Sequence, residues 1–132
     1  MKLEIKKFKV FKDKTGDLIP FYLGKHFNNF KIKRFFFIHG SNKYLRANHA
    51  HKKCNQIIIP VNGSVDIEVT TKQNKKLIFK LSQKNCNYLI IPKLHWIRIK
   101  FKEKKASVIT LCDFKYSEKE YIRDINKFLS LK

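Results

Sequence analysis

The stretch QIIIPVNGSVDIEVT, residues 56–70, decides the fold of this chain. Its first half is an apolar run that ends at Val61, as expected of a buried strand. The next pair, Asn62-Gly63, is the strongest short signal for a tight β-hairpin turn. After the turn, apolar and polar residues alternate over 65–70, which is typical of a strand with one face buried. The stretch therefore predicts two strands joined by a hairpin turn.

Further short apolar or alternating segments lie on both sides of this stretch, with turn residues between them. Strands spaced this closely favour a β-sandwich or a β-barrel. We predict an all-β fold, a small jelly-roll barrel that carries one helix at its C-terminal end. The predicted strands outside the opening stretch are 3–11, 18–23, 33–38, 46–51, 77–81, 88–91, 96–101 and 107–114.

The period of the apolar residues changes near the C-terminus. Ser117 and Glu120 have the spacing of a capping box, in which a serine caps a helix and a glutamate three residues later reaches back. Apolar residues then recur at helical spacing. We predict a helix that starts after Ser117 and packs its apolar stripe on the sheets. The stripe consists of Tyr121, Ile122, Ile125, Phe128 and Leu129.

Length and composition indicate a single folded domain over residues 1–132, since 43% of the chain is hydrophobic. The formal net charge of +20 is large enough for nucleic-acid binding. Lysine is spread over the whole chain, however, including the loops 72–76 and 102–105, so the charge indicates a general lysine bias more than a binding surface. A field this positive still steers anionic substrates toward the protein.

Two further absences set expectations about location and redox chemistry. No apolar signal-peptide region follows the N-terminus and no run reaches membrane-span length, so we expect a soluble, cytoplasmic protein without a membrane partner. The three cysteines, Cys54, Cys86 and Cys112, are odd in number and lack zinc-site spacing. We expect them to be reduced thiols without a catalytic role.

The segment RANHAHKK, residues 46–53, carries the chemistry. Side chains of a strand alternate between faces, so His49 and His51 are predicted to point the same way, into the barrel. An imidazole with a pKa of about 6.5 takes and returns a proton near neutral pH, and a second one donates a hydrogen bond to a developing oxyanion. We therefore predict His49 and His51 as catalytic acid/base residues.

Basic side chains near this pair suit an anionic substrate, because arginine binds phosphate groups through paired hydrogen bonds. A metal site is the alternative: His95 is a third imidazole, but Asn55 stands where a carboxylate ligand is expected, and an amide is a poor ligand for a transition metal. We predict no metal and no other cofactor. The predicted substrate-binding residues are Arg34, Arg46, Lys52, Arg98 and His95.

Over residues 8–128 the chain resembles the cupin-fold sugar-nucleotide 3,4-ketoisomerases that act on dTDP-4-keto-6-deoxyglucose. The HAH stretch and the YIRD tail, in this order and spacing, make the resemblance specific. The segments that carry it are Phe30-Lys31-Ile32-Lys33-Arg34, Arg46-x-x-His49-Ala50-His51-Lys52, Val61-Asn62-Gly63-Ser64 and the tail from Tyr116 to Asp124.

The resemblance implies a homodimer that exchanges β-strands, without a metal. It also implies a reaction that moves the keto group of the sugar from C-4 to C-3. The product is then aminated by a separate enzyme toward 3-amino-3,6-dideoxyhexoses for surface glycans such as the O-antigen of lipopolysaccharide. By this analogy His51 transfers the proton and His49 orients the sugar or shares the proton at its oxygens. The same family positions assign Arg34 and Arg46 to the diphosphate or to the local anion field.

The chain departs from the family pattern at several positions. Ala47 replaces a glycine, Phe36 and Phe37 replace tyrosines, and the order His95-Trp96 reverses the usual Trp-His. Two other functions stay open on the same fold: a C-3/C-5 epimerase, which also removes protons next to a ketone, and a non-catalytic cupin that binds sugars or nucleic acid. The retained histidine pair argues against the second.

Overall fold

The computed structural model describes residues 1–22 and 30–131. Two five-stranded antiparallel sheets pack face to face, and a separate two-stranded hairpin lies near the N-terminus. One short helix follows the strands. The prediction of an all-β jelly roll with a C-terminal helix is confirmed. Within the described ranges, no helix is both long and apolar enough to cross a lipid bilayer.

The first sheet contains the strand that begins the opening stretch of sequence. Its members are β1 (Glu4–Lys7), β4 (Arg34–His39), β6 (Gln56–Asn62), β9 (Asn87–Ile91) and β11 (Ser107–Cys112), side by side in the order β1-β9-β6-β11-β4. The second sheet contains β5 (Arg46–His51), β7 (Ser64–Thr70), β8 (Lys76–Ser82), β10 (Trp96–Phe101) and β12 (Tyr121–Ile122), in the order β12-β5-β10-β7-β8. The hairpin pairs β2 (Phe11–Asp13) with β3 (Gly16–Leu18).

The prediction of a hairpin at Asn62-Gly63 is wrong, although the chain does turn there. β6 and β7 lie in different sheets and do not pair with each other. Of the pair Asn62 and Gly63, only Gly63 has a positive φ, +68°, whereas the favoured two-residue hairpin turn needs positive φ at both central residues. The carboxylate of Glu103 accepts hydrogen bonds from the Ser64 backbone N–H and hydroxyl, both at 2.8 Å, and so holds the chain as it crosses between the sheets.

The main core lies between the two sheets. Apolar side chains of β6, β9 and β11 meet those of β7, β8 and β10 there. A second cluster, which includes Phe30, buries the alternate side chains Ile57, Tyr88 and Ile90. Both faces of β6 and β9 are therefore covered, which explains why these strands are nearly continuous apolar runs. Burying this apolar surface is the main stabilising term of the fold. The buried members are Ile58, Val65, Ile67, Val69, Leu81, Leu89, Ile91, Ile97, Ile99, Phe101, Ala106 and Val108.

The C-terminal tail differs from its prediction. Ser117 makes no side-chain capping bond, and Glu118–Glu120 form a single 3₁₀ turn. The helix α1 (Ile125–Leu129) starts later, where the side chain of Asp124 accepts two backbone N–H bonds. The chain is diverted because residues 121 and 122 pair with β5 instead of continuing a helix. The expected packing is confirmed for the shorter helix: Phe128 is buried against Trp96 and Ala50.

The predicted strand over 18–23 is also wrong. β3 ends at Leu18, residues 19–22 form no strand, and Leu23 lies outside the described residues. Pro20 interrupts the segment and lacks the N–H that a strand ladder needs. The three cysteines are free thiols, as predicted, and two of them are buried.

Candidate active site

A cavity of about 310 Å³ opens between the two sheets. This volume is at the small end of ligand sites, so it suits a hexose better than a whole nucleotide sugar. Its wall joins cationic, aromatic and aliphatic side chains. They are Arg34, Phe36, Ile38, Arg46, Ala47, His49, Gln56, Ile58, Ile97, Ile99, Thr110, Tyr116, Tyr121 and Arg123.

The register of the first sheet builds one wall of the cavity. Thr110 on β11 pairs with Phe36 on β4 and with Ile58 on β6, and all three side chains line the cavity. Directly paired residues share a face of a sheet, so this row projects together. Two residues along, Arg34 and Gln56 flank Cys112 in the same way. The β-strands of the first sheet thus place a guanidinium and a hydroxyl on one surface.

The two histidines lie on β5, in the opposite sheet. Their rings are in contact, with centroids 4.9 Å apart and planes at 85°. The alternation of a strand thus correctly predicts that they point the same way. They differ in depth, however. His49 lines the cavity, whereas His51 is only 3% exposed and is not among the lining residues.

A β-bulge sets the direction of His49. Ala47 and Asn48 both have positive φ values, 72° and 55°, and the register of β5 against β10 shifts by one residue here. Bulges of this kind re-aim side chains next to functional sites. The carbonyl of Ala47 accepts a hydrogen bond from Nδ1 of His49 at 3.0 Å. The left-handed backbone at Ala47 also explains why the resembling family has glycine here.

Glu120 holds His51 from the other side. One carboxylate oxygen of Glu120 makes a short hydrogen bond with Nδ1 of His51, and both side chains are buried. The other oxygen accepts the backbone N–H groups of Lys53 and Cys54, each at 3.3 Å. A carboxylate only accepts hydrogen bonds, so Nδ1 of His51 carries the proton. Nε2 of His51 then presents a lone pair, and it has no partner among the residues described.

Burial lowers the pKa of both histidines. For His49 the pKa falls from 6.5 to about 4, mainly through burial and further through the charge of His51. For His51 the pKa is also lowered by burial, against the opposing hydrogen bond and charge of Glu120. Both imidazoles are therefore neutral at neutral pH. A neutral imidazole is the form that accepts a proton.

This shift predicts that acid destabilises the fold. Between pH 6.5 and about 4 the unfolded chain binds a proton at His49 that the folded chain does not bind. Stability therefore falls as the pH decreases through that range, by up to about 3 kcal/mol from His49. Urea unfolding at about pH 7.5 and about pH 5 measures the change. His49→Asn should lose part of the pH dependence, and an unchanged dependence would contradict the assignment.

Tyr121 packs against both imidazoles. Its ring centroid lies 4.4 Å from that of His51 and 5.0 Å from that of His49. The pairing of β12 with β5 places it there, since Tyr121 is opposite His51. Its hydroxyl accepts a hydrogen bond from Arg34 at 2.9 Å. One tyrosine thus orients the histidine pair and the arginine of the opposite sheet.

Three arginines, Arg34, Arg46 and Arg123, line the cavity. Arg123 binds the carboxylate of Glu118 through two hydrogen bonds of 2.5 and 3.0 Å. Hydrogen bonds from Arg123 and Tyr116 hold the pKa of Glu118 at about 2. The net charge of this cluster stays positive, which fits an anionic group at the cavity.

The other predicted site residues lie elsewhere in the described fold. Lys52 is exposed and donates to the carbonyl of Lys119 at 3.0 Å. Arg98 faces Glu68 at 3.5 Å, in a different depression from the histidines. Nδ1 of His95 lies 3.1 Å from two backbone carbonyl oxygens before β10. None of the three lines the cavity.

One group of side chains has the donor types of a metal site in the ranges that the structure describes. Donor atoms of His51, Cys54 and Glu120 lie within 4.8 Å of one another. A metal does not fit these residues well, because His51 and Glu120 are bonded directly and Glu120 is further occupied by two N–H groups. Asn55, considered as a ligand from the sequence, instead donates to Asp113 at 2.7 Å.

Sequence reasoning missed Glu120, Tyr121, Arg123 and Thr110 as parts of the site. The first three belong to the tail that was interpreted as a helix. The only signal for them in the sequence was the resemblance of the YIRD segment to the ketoisomerases. Thr110 gave no signal, because a threonine in an apolar strand is ordinary.

Fold and site together define a class: a jelly-roll protein with a cavity lined by three arginines and by one imidazole, His49, which contacts a second, buried imidazole, His51. The profile of a protein family described as "FdtA: WxcM-like, C-terminal" matches residues 1–132. The chain belongs to this family. A search of curated proteins found no match.

Solved structures agree with this assignment. QdtA from Thermoanaerobacterium thermosaccharolyticum, a sugar 3,4-ketoisomerase in complex with TDP, is 31% identical with a TM-score of 0.85, and the match covers 96% of this chain and 91% of QdtA. A 3,4-ketoisomerase from Helicobacter canadensis is 30% identical with a TM-score of 0.87 and coverages of 98% and 96%. The epimerase RmlC from Legionella pneumophila is only 16% identical at a TM-score of 0.82, with coverages of 98% and 77%, and shares the fold.

Proposed function

We propose that this chain is a sugar-nucleotide 3,4-ketoisomerase that converts dTDP-4-keto-6-deoxyglucose into a dTDP-linked 3-keto-6-deoxyhexose. The observation that carries the proposal is the pair of neutral imidazoles at a cavity lined by three arginines. Nε2 of His51 has no partner within residues 1–22 and 30–131, and the hydrogen bond from Nδ1 to Glu120 fixes the tautomer of His51. Relatives about 30% identical over nearly the whole chain are named 3,4-ketoisomerases, one of them with TDP bound.

The reaction needs one carbon-bound proton to move and two oxygens to exchange roles. The proton on C-3 is acidic because C-3 lies next to the C-4 ketone. Nε2 of His51 removes it, and the electron pair forms an enediolate over C-3 and C-4 with negative charge on the C-4 oxygen. A proton then returns to carbon C-4, the C-3 hydroxyl loses its proton, and the C-4 oxygen gains one. The result is a ketone at C-3 and a hydroxyl at C-4.

His49 transfers a proton between the C-3 and C-4 oxygens in this scheme. Its Nδ1 donates to the Ala47 carbonyl, so its Nε2 is free to accept the proton of the C-3 hydroxyl and pass it to the C-4 oxygen. His49 lines the cavity while His51 lies deeper. We therefore expect the bound sugar to turn His49 or Tyr121 aside and reach His51, since catalytic contacts often form fully only in the complex.

The arginines bind the diphosphate in this proposal. Arg34 and Arg46 keep the roles that the resemblance implies, and Arg123 joins them. Arg34 is held in place by Tyr121 and stacks near Tyr116, whose ring centroid is 5.3 Å from its guanidinium carbon. Guanidinium groups match phosphate oxygens in geometry as well as in charge.

Product analysis tests the proposed function. Purified protein is mixed with dTDP-4-keto-6-deoxyglucose, and the sugar is followed by ¹³C NMR. A ketone signal that moves from C-4 to C-3 supports the ketoisomerase. Retention of the C-4 ketone with inversion at C-3 or C-5 would indicate an epimerase, and an unchanged sugar would indicate a binding protein.

We also propose that two copies form a homodimer that exchanges the β2–β3 hairpin. Isolated two-stranded hairpins are marginally stable in water, and this one exposes Phe11 and Leu18. β4 is the last strand of its sheet, and Phe35 and Phe37 project from it, 56% and 58% exposed. An apolar sheet edge of this kind is a surface for a second chain.

Light scattering on a sizing column is expected to give twice the mass of one chain. Replacing Phe35 and Phe37 together with serine should shift the protein toward the monomer. Ile78→Ser is the matched control, because Ile78 is 63% exposed on β8, in the other sheet. A monomeric wild type, or a dimer that the phenylalanine variant leaves intact, would contradict this interface.

A further inference from the structure

Thr110 has a buried hydroxyl with no hydrogen-bond partner in the described part of the chain. The residue is 1% exposed and sits in the middle of β11. An unpaired buried hydroxyl destabilises the folded protein, because it gives up its hydrogen bonds to water without gaining others. A buried hydroxyl without a partner calls for a physical explanation, and the position of Thr110 supports ligand recognition as that explanation.

The surroundings of Thr110 point to the sugar part of a ligand. Its neighbours across the sheet, Phe36 and Ile58, are apolar, and Ile97 and Ile99 line the same cavity from the other sheet. Aliphatic and aromatic walls suit the carbon frame of a deoxyhexose and are unfavourable for a diphosphate. The only polar group in this row is the Thr110 hydroxyl.

We propose that the Thr110 hydroxyl forms a hydrogen bond with an oxygen of the hexose and thereby positions the sugar against the histidine pair. This inference rests on the proposed function. A hydroxyl both donates and accepts, so it matches a ketone oxygen as well as a sugar hydroxyl. A rotation of χ1 by about 120° moves the hydroxyl to the position of the methyl group, and the methyl group to that of the hydrogen on Cβ, without moving the strand, which lets the oxygen turn to an entering sugar.

The chain provides a matched control for this role. Thr70 on β7 is also 1% exposed and its hydroxyl also lacks a partner in the described residues, but Thr70 does not line the cavity. Threonine and valine have the same shape, and valine is equally favourable in a strand. Thr110→Val and Thr70→Val therefore remove the same atom type from two comparable sites.

The experiment compares kcat/KM, affinity for TDP and melting temperature in these two variants and in Thr110→Ser. We expect Thr110→Val to lower kcat/KM roughly 5- to 100-fold, to leave the affinity for TDP within about twofold, and to raise the melting temperature by roughly 2–5 °C. Thr70→Val should raise the melting temperature without changing kcat/KM. Thr110→Ser, which keeps the hydroxyl, should retain most of the activity.

Three results would overturn the inference. These are an unchanged kcat/KM in Thr110→Val, an equal loss of kcat/KM in Thr70→Val, and a loss of TDP affinity that accounts for the whole effect in Thr110→Val. Failure of the proposed function has a different signature, because the wild type itself would then not move the ketone. The wild-type product is therefore identified first, and the variants are compared on that reaction.

Discussion

Replacing His51 with asparagine is expected to lower kcat by roughly 10²- to 10⁴-fold, the contribution of a positioned general base. Asparagine is similar in size to histidine but does not titrate. The variant keeps the arginine cluster and His49, so its affinity for TDP should change little. Following the new ketone signal by NMR gives the rate, and calorimetry with TDP shows whether the site is still formed.

His49→Asn is the comparison that assigns the base. His49 lies at the cavity wall with its Nδ1 on the Ala47 carbonyl, and no carboxylate supports it in the described structure. We expect this variant to lose less, roughly 10- to 100-fold, because it removes a proton relay between oxygens. The opposite order, with His49→Asn inactive and His51→Asn only weakened, would transfer the role of base to His49.

Replacing Glu120 with glutamine is expected to lower kcat by roughly 10- to 1000-fold, with a smaller change in KM. A carboxylate accepts from Nδ1 of His51 and from the N–H groups of Lys53 and Cys54 at once. An amide has one acceptor oxygen, and its NH₂ group would face a donor in either orientation. The variant therefore loses either the tautomer of His51 or the anchoring of the loop after β5.

Glu68→Gln is the matched control for Glu120→Gln. Glu68 also faces a basic side chain, Arg98, but in a different depression of the second sheet. Its activity should remain within about twofold of the wild type, as for most surface ion pairs. Full turnover of a folded Glu120→Gln variant would show that His51 needs no carboxylate partner.

The sheets follow from local sequence patterns, but their arrangement does not. The alternation over 65–69 and the apolar run before Asn62 correctly predict β6 and β7. Local chemistry predicts a turn at Gly63, yet the edges of β6 are occupied by β9 and β11 from later in the chain. Which strands take those edges is a long-range choice, so the two strands end up in opposite sheets.

Half of the histidine site is local and half is not. The period of a strand brings His49 and His51 together without any tertiary information. In the sequence Asn55 stands where a carboxylate metal ligand is expected, whereas the carboxylate that contacts His51 belongs to Glu120, 69 residues later. The spacing of Ser117 and Glu120 matches a helix cap. That local interpretation gives Glu120 a role in the helix and does not predict its hydrogen bond with His51.

The positions of the arginines were also only partly predictable from local sequence patterns. Arg34 and Arg46 lie at the cavity, while Arg98 on β10 faces Glu68 of the neighbouring strand β7, in a different depression. A one-residue shift in a strand moves a side chain to the other face. The bulge at Ala47 and Asn48 introduces such a shift in β5, and Arg46 and His49, three residues apart, therefore both line the cavity. Neither alanine nor asparagine indicates this bulge in the sequence.

Deuterium exchange at carbon tests most directly whether the imidazole of His51 moves the proton. Wild type, His49→Asn and His51→Asn are each given dTDP-4-keto-6-deoxyglucose in deuterium oxide, and the C-3 proton signal is followed by NMR. We predict rapid loss of that signal with wild type, slower loss with His49→Asn, and the slowest loss, roughly 10²- to 10⁴-fold below wild type, with His51→Asn. If the His51→Asn protein exchanged the C-3 proton as fast as the wild type does, the result would contradict this role of His51.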